Sequence, residues 1–197
     1  YITCENEYIE SVWWALDRYF KEGFIYQGFK VQLYCPRCGT PLSSHEVSLG
    51  YRDVQDPSVY IKAKLKGEDN TYFLVWTTTP WTLISNVALA VNPDVEYVKV
   101  RYKDDQLILA KDRLGVMPED AEVVAAMPGS DLAGKEYERW FDFIPVDQKA
   151  WYVIGGDFVT TTDGTGIVHM APAYGEDDYQ ASLKYALPMI QALDPRG

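Results

Sequence analysis

The feature that most narrows the folds open to this chain is a train of short strand-like runs, each closed by turn residues. Val59–Leu65, Tyr72–Thr79, Val87–Val91, Tyr97–Tyr102, Leu107–Ala110, Glu122–Ala126, Trp151–Ile154 and Gly166–His169 are dominated by residues that suit a pleated, half-buried surface. Between them stand Asp56-Pro57, Gly67-Glu68-Asp69-Asn70, Asn92-Pro93-Asp94, Pro128-Gly129 and Asp163-Gly164. These residues fix φ, tolerate positive φ, or hydrogen-bond their own backbone, and so punctuate the runs. Many short strands with few helices predict a mainly β (α+β) fold: a closed or partly closed β-barrel with peripheral helices.

Two segments read as helices. In residues 7–22, Ile9, Val12, Trp13, Leu16, Tyr19 and Phe20 recur at helical spacing, and Gly23 is a plausible stop. The large aromatics Trp13, Trp14 and Tyr19 are expected to be packed. Glu176–Leu187 forms the second, with Tyr179 and Leu183 on one face. Residues 30–34 suggest a short strand leading into Cys35-Pro36-Arg37-Cys38-Gly39. The chain therefore divides into a connector helix and Cys-x-x-Cys knuckle over residues 1–45 and a barrel over residues 46–197. The closing Asp194-Pro195-Arg196-Gly197 reads as the end of an excised fragment.

Charge and cysteine content restrict function. A net charge of −11 argues against broad binding of nucleic acid, which needs a basic face, but leaves room for a pocket holding one nucleotide end. No apolar run approaches the ~20 residues of a membrane span, and no secretory leader is visible, so neither a membrane partner nor export is expected. Three cysteines, an odd number, do not make a secreted disulfide framework, which favours the cytoplasm.

Four segments are candidates to carry chemistry. In Trp76-Thr77-Thr78-Thr79-Pro80-Trp81-Thr82, strand alternation puts Thr77 and Thr79 on one side and Thr78 on the other. Threonine runs are often plain strand, yet three hydroxyls between two indoles also make a polar floor able to hold a water or a carbonyl. In Asp163-Gly164-Thr165-Gly166-Ile167-Val168-His169, Gly164 and Gly166 permit close backbone approach ahead of one of only two histidines. Gly175-Glu176-Asp177-Asp178 places acids at a helix start, where the dipole favours them, or aims a carboxylate at a cationic ligand. Cys35 and Cys38 have the spacing of half a zinc site; Cys4 and His45 are unconvincing completions. There is no Gly-x-Ser-x-Gly elbow, Walker loop or His-Glu-x-x-His, so covalent catalysis finds no support.

In this order the segments resemble one family. Tyr34–Ser43 is similar to the opening of the large insertion of isoleucyl-tRNA synthetases, which are class I aminoacyl-tRNA synthetases. Trp76–Leu83 resembles that insertion's threonine-rich motif, and Gly164–Asp178 its second motif. Tyr1–Tyr26 is similar to the preceding helix, so the likeness spans the chain. Valyl and leucyl relatives carry arginine after the paired threonines, whereas this chain has Thr79, followed by Pro80 and Trp81. The motifs of the synthetic core are absent, which implies that ATP-dependent activation belongs to other parts of a parent enzyme.

The resemblance implies a β-barrel editing domain (the CP1 insertion) that hydrolyses the ester of valine mis-attached to tRNA(Ile), and valyl-adenylate as a second substrate to consider. A synthetic pocket for isoleucine discriminates weakly against a ligand one methylene smaller, so a second, smaller site is needed. In this reading Asp178 holds the α-ammonium. Thr77, Thr78 and Thr79 orient the ester and a water, while Trp81 and His169 bound the valine side chain. His169 as general base ranks second. Editing itself implies no cofactor; zinc at the incomplete Cys35/Cys38 site is the one metal to consider. The implied partners are the 3′ end of valyl-tRNA(Ile) and the rest of the parent synthetase, with the domain a monomer. Two alternatives stay open: a non-hydrolytic module binding the tRNA end, and a zinc-ribbon interaction module.

Overall fold

The computed structural model describes residues 2–194 and 196, in two compact units, Tyr1–Lys30 and Val31–Gly197. The first holds α1 (Asn6–Lys21). Glu7 in its first turn and Arg18 and Lys21 in its last complement the helix dipole, and Gly23 at φ +78° ends it. The expected packing of its aromatics is corrected here: no residue of α1 is buried, and Trp13 and Trp14 are 68% and 66% exposed. Periodicity places apolar residues on one face of a helix but does not supply the surface that covers them.

The second unit begins with the hairpin β1 (Tyr34–Cys35) and β2 (Thr40–Pro41), followed by α2 (Ser44–Ser48). Ser43 and Glu46 form a reciprocal capping box at the start of α2. The body comprises β3 (Val59–Lys64), β4 (Thr71–Thr77), β5 (Ala88–Val91), β6 (Glu96–Tyr102), β7 (Asp105–Ala110), β8 (Glu122–Pro128), β9 (Tyr152–Gly155), β10 (Ile167–Met170) and α3 (Glu176–Tyr185). One sheet has the order β3-β4-β7-β6-β8, the other β10-β5-β9. Pairing is antiparallel except between β4 and β7 and between β5 and β9.

Alternation of side chains sorts these strands into three apolar clusters. Phe73 and Val75, Leu89 and Val91, Ile108, Val153 and Ile167 meet in a core between the two sheets. Ala88, Ala90, Ile154 and Met170 point the other way, onto Ala181, Leu187 and Ile190 of α3 and the segment after it. Leu74, Val98, Val100, Leu107 and Leu109 face away from the central core and are covered by Leu114, Val116 and Met117, in and just after the 3-10 turn Lys111–Val116.

The expected closed barrel is corrected to two sheets joined at their seams. On one side the segment 134–138 bonds to the end of β3 through the Leu65–Tyr137 bridge and to β9 through the Glu136–Tyr152 bridge. On the other, the Ala110 amide donates to the Thr165 carbonyl at 2.8 Å. Regular pairing cannot run across either seam, because positive φ breaks the extended backbone: +59° at Trp151 just before β9, and +66° and +72° at Gly164 and Gly166 just before β10. An added Cβ at Gly166 would lie 2.5 Å from Ala110 Cβ, so the close approach expected of these glycines is present.

Tyr97, fully buried, stitches this seam. Its hydroxyl donates to the Gly166 carbonyl at 2.6 Å and accepts from the Asn92 amide at 3.0 Å, and burial pushes its pKa up to about 12. Tyr97→Phe leaves both backbone groups unpaired and is expected to cost about 2 kcal/mol in urea unfolding.

Candidate functional site

The threonine segment leaves the ladder earlier than expected. β4 ends at Thr77, and Pro80 starts a 3-10 turn, Pro80–Ser85, at a position where its missing N–H costs nothing. The freed chain folds back on itself. The Thr79 amide donates to Thr77 Oγ1 at 3.0 Å, and the two hydroxyl oxygens lie 3.3 Å apart. Thr77 and Thr79 thus share one side, Thr77 buried, Thr78 and Thr79 half-buried.

The 3-10 turn separates Trp81 and Thr82. Trp81 is 66% exposed, whereas Thr82 is buried. Thr82 Oγ1 donates to the Thr79 carbonyl at 2.8 Å and lies 3.0 Å from His169 Nε2. A hydroxyl has one proton; with that proton on the Thr79 carbonyl, Thr82 must accept from His169. His169 is therefore the Nε2–H tautomer, with Nδ1 an unprotonated acceptor. Nδ1 is buried and has no hydrogen-bond partner among the described residues. Burial lowers the His169 pKa from 6.5 to about 4, so the ring is neutral at pH 7. A neutral ring presents Nδ1 as a hydrogen-bond acceptor and carries no charge toward a ligand.

β10 reaches this position because it pairs with β5 in the register His169↔Leu89 and packs on β4. One residue beyond it, the Ala171 amide donates to Asp178 Oδ2 at 2.7 Å. That bond ties the first turn of α3 to the end of β10. Burial raises the Asp178 pKa and the Ala171 amide opposes the rise. A half-buried carboxylate held only by the neutral amides of Ala171 and of Asp178 itself, with the Asp177 charge opposing it, is stabilised by a cation. Gly175 makes room for it: a Cβ there would lie 3.0 Å from the Asp178 carboxyl carbon.

Of the residues singled out in the sequence, hydrogen bonds join Thr77, Thr79 and, through Thr82, His169; Asp178 is tied to the same strand end. Trp81 neighbours Thr82 along the chain and faces outward. Thr82 and Asn86 were not singled out. Asn86 is buried, accepting at Oδ1 from the Tyr137 hydroxyl at 2.6 Å and at its carbonyl from Trp151 Nε1 at 3.1 Å. Thr82 was signalled by its place three residues after Thr79, the spacing of one 3-10 turn.

Cys35 ends β1 and Cys38 lies within the β1–β2 turn, where the Cys38 amide donates to Cys35 Sγ at 3.4 Å, lowering that thiol's pKa. Among the described residues no group of three or more His, Cys, Asp or Glu side chains converges as a metal site. Two sulfurs do not complete the tetrahedral set zinc requires, so these residues do not fit a closed zinc centre within this chain. Among the described residues no helix is long and apolar enough to cross a membrane.

Comparison with known proteins places these features in context. Residues 1–184 match the family model for tRNA synthetases class I (I, L, M and V). The isoleucine–tRNA ligase of Clostridium acetobutylicum is 54% identical over 197 residues, all of this chain and 19% of the ligase. That of Thermoplasma volcanium is 49% identical over the same shares. The chain thus spans about a fifth of the length of the curated relatives it matches. In fold it is similar to the solved structure of GlLeuRS-CP1, with a TM-score of 0.57 and 20% identity over 65% of this chain and 58% of that one. The Plasmodium knowlesi cytosolic leucyl-tRNA synthetase editing domain gives a TM-score of 0.51 at 15% identity, over 66% of this chain and 63% of that one.

Since His169 is protonated near 6.5 in the unfolded chain and near 4 in the folded one, the unfolded state binds more protons there between those values. Stability is present above this window and falls as pH drops through it, by about 3 kcal/mol at pH 4. Urea unfolding from pH 7 to pH 4 should show this loss, and His169→Gln should remove it.

Proposed function

The chain belongs to the class I tRNA synthetases and has the fold of their editing insertion, and on that premise we propose that it hydrolyses the ester of valyl-tRNA(Ile). The observation that carries the reading is the Thr79–Thr82–His169 hydrogen-bonded chain, which joins two motifs 87 residues apart. Beside it stands a half-buried carboxylate suited to an ammonium group.

In this reading Asp178 binds the α-ammonium of the aminoacyl ester with the oxygen lobe not committed to the Ala171 amide. Thr77, Thr78 and Thr79 orient the ester carbonyl and a water. The water attacks the carbonyl carbon, the bond to the ribose oxygen breaks, and that oxygen takes a proton to become a hydroxyl. Valine leaves as its carboxylate. Neutral His169 and Trp81 bound the side chain and exclude one methylene more. Thr82 keeps the His169 ring in one tautomer and one orientation. Valyl-adenylate, an anhydride with the same ammonium group, is a second candidate substrate. The remainder of a parent synthetase would present the tRNA end, because a chain of net charge −11 offers little attraction to phosphate on its own.

The test is release of valine from valyl-tRNA(Ile) against release of isoleucine from isoleucyl-tRNA(Ile). Valine should be released selectively. Thr79→Ala should lower kcat, and Asp178→Asn, which keeps an acceptor for the Ala171 amide, should raise KM roughly 10- to 100-fold. In the wild type KM should rise as pH falls through the raised pKa of Asp178, since only the carboxylate pairs with the ammonium. Binding of the tRNA end with no release of either amino acid would favour the non-hydrolytic module instead.

A further inference from the structure

The turn ahead of β10 is fastened from outside along nearly its whole length. Arg113 Nε donates to the Gly164 carbonyl at 2.9 Å and Nη1 to the Thr162 carbonyl at 3.0 Å. The Thr165 carbonyl accepts from the Ala110 amide, and the Gly166 carbonyl from Tyr97. A turn with two glycines at positive φ has little stiffness of its own, so external bonds set where it lies. The first two come from a single guanidinium, whose fork presents two donors in fixed geometry.

What the turn lies against is the residue just before Thr77. A Cβ at Gly164 would fall 2.8 Å from Trp76 Cε3, so the bare backbone rests on that indole. Trp76 directly precedes Thr77, and the turn directly precedes the strand that carries His169. The same short segment therefore touches one motif through Trp76 and leads covalently into the other.

We propose that Arg113 is a positioning residue for this site: it straps the turn Thr162–Gly164 onto Trp76 and so sets the separation between the threonine segment and His169. The size limit of the acyl pocket depends on that separation. The proposal rests on the hydrolase reading for its activity measurement and is independent of it for the spectroscopic one. Misplacing a binding group by about 1 Å can cost on the order of 10²-fold in rate.

The experiment compares wild type, Arg113→Gln and Arg113→Lys. It reads the ratio of kcat/KM for valyl and isoleucyl ester release, together with the His169 Nε2–H resonance in protein carrying nitrogen-labelled histidine. Arg113→Gln should lose about tenfold in the ratio and shift the His169 resonance; Arg113→Lys, which keeps charge and one donor, should fall between. A ratio unchanged in Arg113→Gln, with both rates falling only as the folded fraction falls, would overturn the proposal, as would an unmoved resonance. If Arg113→Gln does not fold, Arg113→Lys decides by the same two readings. If wild type releases neither amino acid, the hydrolase reading fails and the resonance alone decides the role of Arg113.

Discussion

Both faces of β5 are dry, and the rest of the molecule is arranged around that fact. Val87–Val91 is wholly inaccessible, with Leu89 and Val91 in the core between the sheets and Val87, Ala88 and Ala90 against α3 and its extension. A strand so placed must have its backbone groups paired on both edges, because an unpaired amide in such surroundings costs more than most side-chain contacts return. β9 and β10 are those partners. Slipping β10 by one residue would carry every one of its side chains to the opposite face, so the burial of β5 also fixes where His169 stands.

The candidate site is built where regular structure stops. β4 ends at Thr77, and the 3-10 turn that follows turns Thr82 inward while Trp81 faces outward. β10 ends at Met170, and the next amide is taken by Asp178 instead of a neighbouring strand. Each strand end releases backbone groups that side chains then satisfy, and this concentrates hydroxyls, an imidazole and a carboxylate at the ends of two neighbouring strands. The rigid part of the fold supplies position, and the irregular part supplies chemistry.

Local pattern was enough to find the strands. β-branched runs bounded by turn residues located β3 to β10 to within a residue or two at most ends, and the spacing of Ile9, Val12 and Leu16 located α1. Closure of the barrel was not legible, because it turns on where residues 151, 164 and 166 adopt positive φ relative to strands far away in sequence. Nor were the partners of the site. Thr82 meets His169 across 87 residues, and Arg113 meets Gly164 across 51. The threonines, His169 and Asp178 stood out by composition, yet the residues that orient them look ordinary until the chain is folded. The aromatics of α1 mark the opposite limit: a clear apolar stripe whose covering surface is not written in the stripe itself.

The hydrogen bonds from His169 through Thr82 to Thr79 all point the same way, with each donor followed by an acceptor that is itself a donor onward. Such a line ends on a carbonyl, which cannot pass a proton further. Conduction in the reverse sense would require the hydroxyl to rotate and the buried imidazole to exchange its protonated nitrogen. The threonine floor is thereby insulated from the histidine as far as protons are concerned, although the two are mechanically linked. Along this line no proton passes from the imidazole to the threonine hydroxyls.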